Sequence, residues 1–139
     1  MRILSLDLGT KSLGSCISDK NNLIAIPLEN YIFENENYEQ AINRVCEIVD
    51  KYLITLILLG HPKRQDGTKS DMTLIAEDFY SKLKNSLPNI EIKLFDERYS
   101  TKRGIELIEN KFKKDKEKIN ELKDMAAAYV MLTDYLLTI

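Results

Sequence analysis

Acidic side chains at the ends of apolar runs are the residues of this 139-residue chain whose types and spacing could do chemistry. Asp7 interrupts the run Arg2 to Leu8 just before Gly9, Asp96 and Glu97 follow the run Ile90 to Phe95, and Asp124 stands early in the last helical pattern. An ionised carboxylate taken out of water costs several kcal/mol unless a cation or hydrogen-bond donors meet it. Carboxylates that converge also repel. Without a cation one of them holds a proton, whereas with Mg²⁺ or Mn²⁺ they become oxygen ligands that share the ion with water and substrate phosphates. Two such ions about 4 Å apart clamp the attacking and leaving oxygens of a phosphodiester displacement. The expected cofactor is therefore Mg²⁺ or Mn²⁺, as a pair of ions. Of Asp96 and Glu97, strand alternation lets only one face the site, and the pattern alone does not choose between them.

A second set of residues suits phosphate. Gly9 and Gly14 permit tight backbone geometry and close approach, and between them Thr10, Lys11 and Ser12 bring hydroxyls and a cation into one turn. A hairpin in which Asp7 merely bonds the turn amides is the plainer alternative. Lys63 and Arg64, in the loop Gly60 to Thr68, are phosphate contacts of the same kind, although two loop cations are commonly just solvated. Arg98 can orient Glu97 or grip a phosphate in bidentate fashion. Ser100 or Thr101 can cap the helix that follows, and both are counted with Thr10, Lys11, Lys63, Arg64 and Arg98 as expected substrate contacts. His61, the single histidine, excludes a histidine-based metal site and reads as a loop residue packed beside Pro62. Asp124 is also of the type that simply matches a helix dipole.

Holding these residues in place falls to a succession of elements. After the first strand, Leu13 to Ser18 and Leu23 to Phe33 are strands turned at Asp19-Lys20-Asn21-Asn22, which makes a three-strand antiparallel meander. From Tyr38 the period becomes helical, with Ala41, Ile42, Val45, Ile48 and Val49 on one stripe to about Tyr52. Leu53 to Leu59 is a buried strand closed by Gly60. A helix with Met72, Ile75, Ala76, Phe79, Leu83 and Leu87 ends at Pro88, and Ile90 to Phe95 alternates as a more exposed strand does. A helix through Ile105, Leu107 and Ile108, a charged link from Lys111 to Lys118, and a last helix from Asn120 to about Leu137 complete the chain. On a helical wheel Asp124 shares a face with Ala127, Ala128 and Met131, small or flexible residues that let that face approach the sheet. Helix and strand alternating after the meander imply parallel pairing through right-handed crossovers. The expected fold is one α/β domain over residues 1–139, a mixed five-stranded sheet of the meander plus two parallel strands, flanked by helices.

Composition narrows the classes. The chain is 44% apolar and 30% charged, as in an ordinary soluble protein, and long enough to bury roughly two-thirds of its unfolded surface. A net charge of −2 and a pI near 5.5 exclude a global basic field, so nucleic acid would have to be held by a local patch or by metal ions. The cations of Lys102 to Lys123 outnumber the acids there and offer such a flank. Cys16 and Cys46 lack metal-ligand spacing and read as free thiols in a reducing cytosol. No apolar run is long enough for a signal core or a transmembrane span, so the expected location is the cytoplasm, with no membrane partner.

Four stretches taken together resemble a known family. Asp7-Leu8-Gly9-Thr10-Lys11-Ser12-Leu13-Gly14, Gly60-His61-Pro62 with Asp66-Gly67-Thr68, Asp96-Glu97-Arg98-Tyr99-Ser100-Thr101, and Asp124-Met125-Ala126-Ala127-Ala128 are similar, in order, to the motifs of the YqgF (RuvX) proteins. The resemblance covers nearly the whole chain and is specific because four motifs stand in register. It implies an RNase H-like fold related to the RuvC resolvases, and one of two activities described for the family: Holliday junction resolution, or maturation of the 5′ end of 16S ribosomal RNA. Carried over by position, it implies a catalytic, metal-binding triad of Asp7, Glu97 and Asp124, and so favours Glu97 over Asp96. His61, where the family usually has an apolar residue, and Tyr99, where leucine is usual, depart from the pattern without removing an acid.

Two other classes compete. The sugar-kinase and actin-like ATPases open in the same way, but they need two lobes around a nucleotide and this chain has room for one. A non-catalytic RNA- or protein-binding module would keep the fold, and the presence of all three acids speaks against it. Between nucleic-acid substrates, a compact acidic chain lacks the broad cationic surface that gripping several duplex arms requires. This favours cleavage of structured RNA in small-subunit ribosomal RNA maturation over a DNA junction. A dimer would suit a two-fold junction and a monomer a single RNA strand; no self-complementary patch stands out, and the oligomeric state stays open.

Overall fold

The structure is a computed structural model that describes residues 1–97 and 100–139, without the side chains of Ser100 and Thr101. Strand β1 (Arg2–Leu8) lies at the centre of a five-stranded sheet of order β3-β2-β1-β4-β5. On one side β2 (Ser12–Ser18) and β3 (Ala25–Ile32) form the antiparallel meander; on the other β4 (Ile54–His61) and β5 (Glu91–Asp96) run parallel to β1. Short turns join the first three strands, and helices join the rest, which is why the pairing changes sense at β1.

Alternation along β1 divides the core into two layers. Leu4, Leu6 and Leu8 face α1 (Tyr38–Tyr52) and α2 (Asp71–Ser86), where Val45, Ile48, Phe79 and Leu83 are buried against them. Ile3 faces the other way, with Cys16, Leu56 and Leu58, toward α3 (Ser100–Lys111), α4 (Lys116–Leu122) and α5 (Ala126–Leu136). α5 is buried from Ala126 to Leu132 and forms the centre of this second layer. Among the described residues no helix is long and apolar enough to cross a membrane.

Several boundaries differ from those read in the sequence. β3 begins at Ala25 and not Leu23, because the Asp19 carboxylate accepts from the N–H groups of Leu23 (2.7 Å) and Ile24 (2.9 Å) and draws both into the turn. Leu53 is not the start of β4: it closes α1 in the left-handed conformation (φ 54°), and the strand then runs on through Gly60 to His61. The charged link and the single last helix are the larger departures. Asp115 caps α4 by accepting from the Lys118 N–H (3.0 Å), which turns part of the expected link into helix. A 3₁₀ turn over Lys123–Met125 then separates α4 from α5, so Asp124 sits in that turn and not on a continuous helix with Ala127, Ala128 and Met131.

Candidate active site

The site is built on the α5 side of β1. Ile3, Ser5 and Asp7 share that face, and the buried Ser5 hydroxyl donates to the Ala128 carbonyl at 2.7 Å, tying α5 to β1 two residues before Asp7. Directly opposite Asp7 in the antiparallel ladder stands Gly14. A Cβ there would lie 2.7 Å from the Asp124 carbonyl oxygen, so only glycine lets the 3₁₀ turn rest on the sheet. The Asp7 strand and its Gly14 neighbour thus meet the backbone of Asp124, more than a hundred residues away in sequence.

Glu97 arrives from the far side of β1. Phe95 packs with the α3 and α5 layer, so alternation returns Glu97 to that face and sends Asp96 to the opposite one, beside its register partner His61. The Glu97 carboxyl lies directly over Gly60, where a Cβ would stand 2.7 Å from Cδ and collide with Oε2. From there it reaches Asp7. Burial raises the Asp7 pKa above the usual carboxylate range, partly offset by the hydrogen bond from Glu97. Glu97 is pushed up to about 9, first by burial and then by the negative charge of Asp7, the hydrogen bond it donates to Asp7 and the charge of Asp96. At neutral pH Glu97 therefore keeps its proton and directs it at Asp7. Glu97 Oε2 is buried without a hydrogen-bond partner.

An oxygen-seeking divalent cation fits these two acids. It would offset their mutual repulsion and engage the orphaned oxygen, and Mg²⁺ characteristically takes one or two protein carboxylates and fills its remaining positions with water and substrate phosphates. The expected third acid stands apart. Asp124 is exposed, and among the described residues no three Asp, Glu, His or Cys side chains form a group able to hold a metal.

The other expected contacts divide. Thr10 and Lys11 are exposed in the β1–β2 turn, which closes through Gly9 N–H to the Ser12 carbonyl (2.8 Å), while their own carbonyls accept from Glu36 (2.7 Å) and Phe33 (3.0 Å). Lys63 is half-buried just beyond β4. Arg64 is engaged within its loop, donating to the Lys69 carbonyl (2.8 Å) and the Thr68 hydroxyl (3.4 Å). Arg98 and Tyr99 lie outside the described residues; Ser100 and Thr101 open α3, and their side chains lie outside the description. His61 is a strand residue, not a loop one: its Nε2 is 2.8 Å from Glu77 Oε2 on α2, and Lys69 Nζ reaches the same oxygen at 3.0 Å. Lys69 foremost, then His61, hold Glu77 below the usual carboxylate range. Cys16 and Cys46 are both free, and burial pushes the Cys16 thiol up to about 12.

Sequence reasoning missed two parts of this machinery. Gly60 reads as the end of a strand, yet its missing side chain is the space that the Glu97 carboxyl fills. Gly104 lies inside the α3 pattern, and a Cβ there would collide with the Ala126 carbonyl, so this glycine lets α3 lie against the start of α5. The available signal was a glycine inside a helical run, which usually has a packing reason.

Comparison with known proteins adds to this geometry. The family model for RuvX, described as Holliday junction resolvase, matches residues 1–138. A protein of Mycoplasmopsis pulmonis (strain UAB CTIP) named "Putative pre-16S rRNA nuclease" is 40% identical over 137 residues, spanning 98% of this chain and 92% of its own length. A protein of the same name from Geobacillus kaustophilus (strain HTA426) is 35% identical over 136 residues, spanning 98% of this chain and 97% of its own. Among solved structures, T. thermophilus RuvC in complex with a Holliday junction substrate matches with a TM-score of 0.63 at 13% identity, over 99% of this chain and 94% of that one. The fowlpox virus resolvase in complex with Holliday junction DNA matches with a TM-score of 0.60 at 19% identity, over 99% and 98%. At such identities the structural likeness speaks for the fold, which is RNase H-like.

Proposed function

The chain belongs to the RuvX family and is a nuclease, and from that premise we propose that it is a metal-dependent endonuclease maturing the 5′ end of pre-16S ribosomal RNA through Asp7, Glu97 and Asp124. The observation that carries the reading is the Glu97 carboxyl lying over Gly60 against Asp7, a pair of acids kept together despite their repulsion.

In this reading, bound Mg²⁺ or Mn²⁺, one ion or two, supplies the charge that stabilises the developing phosphoryl oxygens and acidifies a water. The protein's own groups do the rest. Glu97 holds its proton against Asp7 until the site is loaded, and its buried Oε2 is then an acceptor with no competing protein donor. Asp124, exposed on the turn that rests on Gly14, is the acid open to substrate and completes the triad when the nucleic acid binds. Thr10, Lys11 and Lys63 contact phosphates, together with Arg98, Ser100 and Thr101, while Arg64 shapes the loop that carries Lys63. RNA is favoured over a DNA junction by the net charge of −2, which leaves no broad cationic surface for several duplex arms. The proposed setting is the cytoplasm, where ribosomal RNA is processed in bacteria.

The experiment is a cleavage panel with Mn²⁺ or Mg²⁺ on precursor 16S ribosomal RNA ends, single-stranded RNA and four-way DNA junctions, run beside Asp7→Asn. The reading expects cleavage of the precursor end by the natural chain and none by the variant. Symmetric cutting of junctions with the RNA untouched would replace it by the resolvase reading, and full cleavage by Asp7→Asn would remove the site.

A further inference from the structure

Resting on that nuclease reading, we infer that the groove between α3 and α4, lined by Lys113, Lys116 and Lys123, grips the sugar-phosphate backbone of a single-stranded RNA segment beside the scissile bond. The groove has a volume of about 340 Å³, and its remaining lining is Glu109, Ile119 and Asn120. Three ammonium groups therefore face one carboxylate. Among the described residues none of the three lysines makes an ion pair or a hydrogen bond through its side chain, whereas Lys69, Lys82 and Arg103 are each paired with an acid. Like charges gathered without partners oppose folding slightly, so the arrangement is better explained by an anion than by stability.

The local charge runs against that of the whole chain. Of 20 lysines and arginines, eight fall between Lys102 and Lys123, against five of the 22 acids, in a protein whose net charge is −2. A cation surplus concentrated on one helical hairpin binds phosphate where it stands and leaves the rest of the surface to repel it. The volume matches a single ligand-sized unit, so the groove takes a nucleotide or so of one strand and has no room for a duplex arm. Ile119 and Asn120 offer an apolar patch and a hydrogen-bonding amide to the sugar or base.

The groove is also tied to the acid pair. Lys123 opens the 3₁₀ turn that carries Asp124, the backbone of Asp124 rests on Gly14 opposite Asp7, and Gly104 lets α3 lie against Ala126. A strand held by these lysines therefore enters the site from the Asp124 side.

The test measures binding of a labelled single-stranded RNA oligonucleotide in chelator, where no cleavage occurs, across 50 to 300 mM salt on the order used for such titrations. The triple variant Lys113→Gln, Lys116→Gln, Lys123→Gln is compared with the natural chain and with a control that removes the same charge elsewhere, Lys20→Gln, Lys51→Gln, Lys84→Gln. The groove variant is expected to fold normally by circular dichroism, to bind at least about tenfold more weakly, and to lose about 2 from the salt slope, at about 0.7 per single-strand phosphate contact. Unaltered affinity and slope, or an equal loss in the control, would overturn the groove while leaving the nuclease reading intact. Loss of binding in a protein that cuts no RNA would uphold the groove and remove the nuclease reading instead.

Discussion

The carboxyl group of Glu97 fills the space that a side chain at Gly60 would occupy. Gly60 pairs with Phe95 in the parallel ladder, so the relationship links the end of β4 to the residue just past β5. It makes a residue with no chemistry of its own a determinant of where an acid stands. Gly60→Ala should fold, because the displaced group is a flexible carboxylate, but it should push Glu97 away from Asp7. Displacement of a catalytic group by an ångström or so costs on the order of 100-fold in rate. The measurement is kcat on precursor RNA with thermal melting as the fold control; activity within threefold of the natural chain would contradict it.

Glu97 also sets an unusual dependence of stability on pH. Folded, it keeps its proton to about 9, whereas its ordinary value is 4.5. Between those values the folded chain binds a proton that the unfolded chain has lost, so without metal this contribution is whole below about 4.5 and disappears as pH rises toward 9. Asp7, raised by burial, acts in the same direction. Glu97→Gln cannot ionise and should escape the loss. Its melting temperature in chelator should match that of the natural chain near pH 5 and exceed it by several degrees near pH 9. Parallel curves would refute the retained proton.

Metal removal follows from the same proton. Activity should vanish in EDTA and return with Mg²⁺ or Mn²⁺, and because an ion must displace the Glu97 proton, its apparent affinity should rise by up to about tenfold per pH unit through neutrality. Calorimetry in buffers of different ionisation enthalpy should register release of the Glu97 proton on ion loading near pH 7. A half-saturating concentration that does not move with pH would disprove the coupling.

Asp124 separates catalysis from stability most cleanly. Its side chain is exposed and its backbone alone makes the contact with Gly14. Asp124→Asn should change stability by no more than about 0.5 kcal/mol, as surface substitutions do. It should nevertheless abolish cleavage if the acid joins Asp7 and Glu97 with substrate bound. Full activity in this variant would reduce the site to the two half-buried acids.

The sheet was legible in the sequence because its causes are local. Short apolar runs, a polar turn at Asp19 to Asn22 and helical stripes between later strands point to which strands pair and in which sense. The acids were legible as well, since a carboxylate such as Asp7 stands out in an apolar run. What the tertiary structure decided are relations that one segment cannot encode. Glu97 and not Asp96 meets Asp7 because Phe95 packs toward α3 and α5, and a one-residue change of phase would turn the strand end over. The break before α5 depends on Asp115 capping α4 and on the turn finding Gly14 bare beneath it, a contact between positions more than a hundred residues apart. Asp124 stands clear of the half-buried pair for the same reason: helix periodicity describes a helix in isolation, whereas this turn takes its shape from the sheet it rests on.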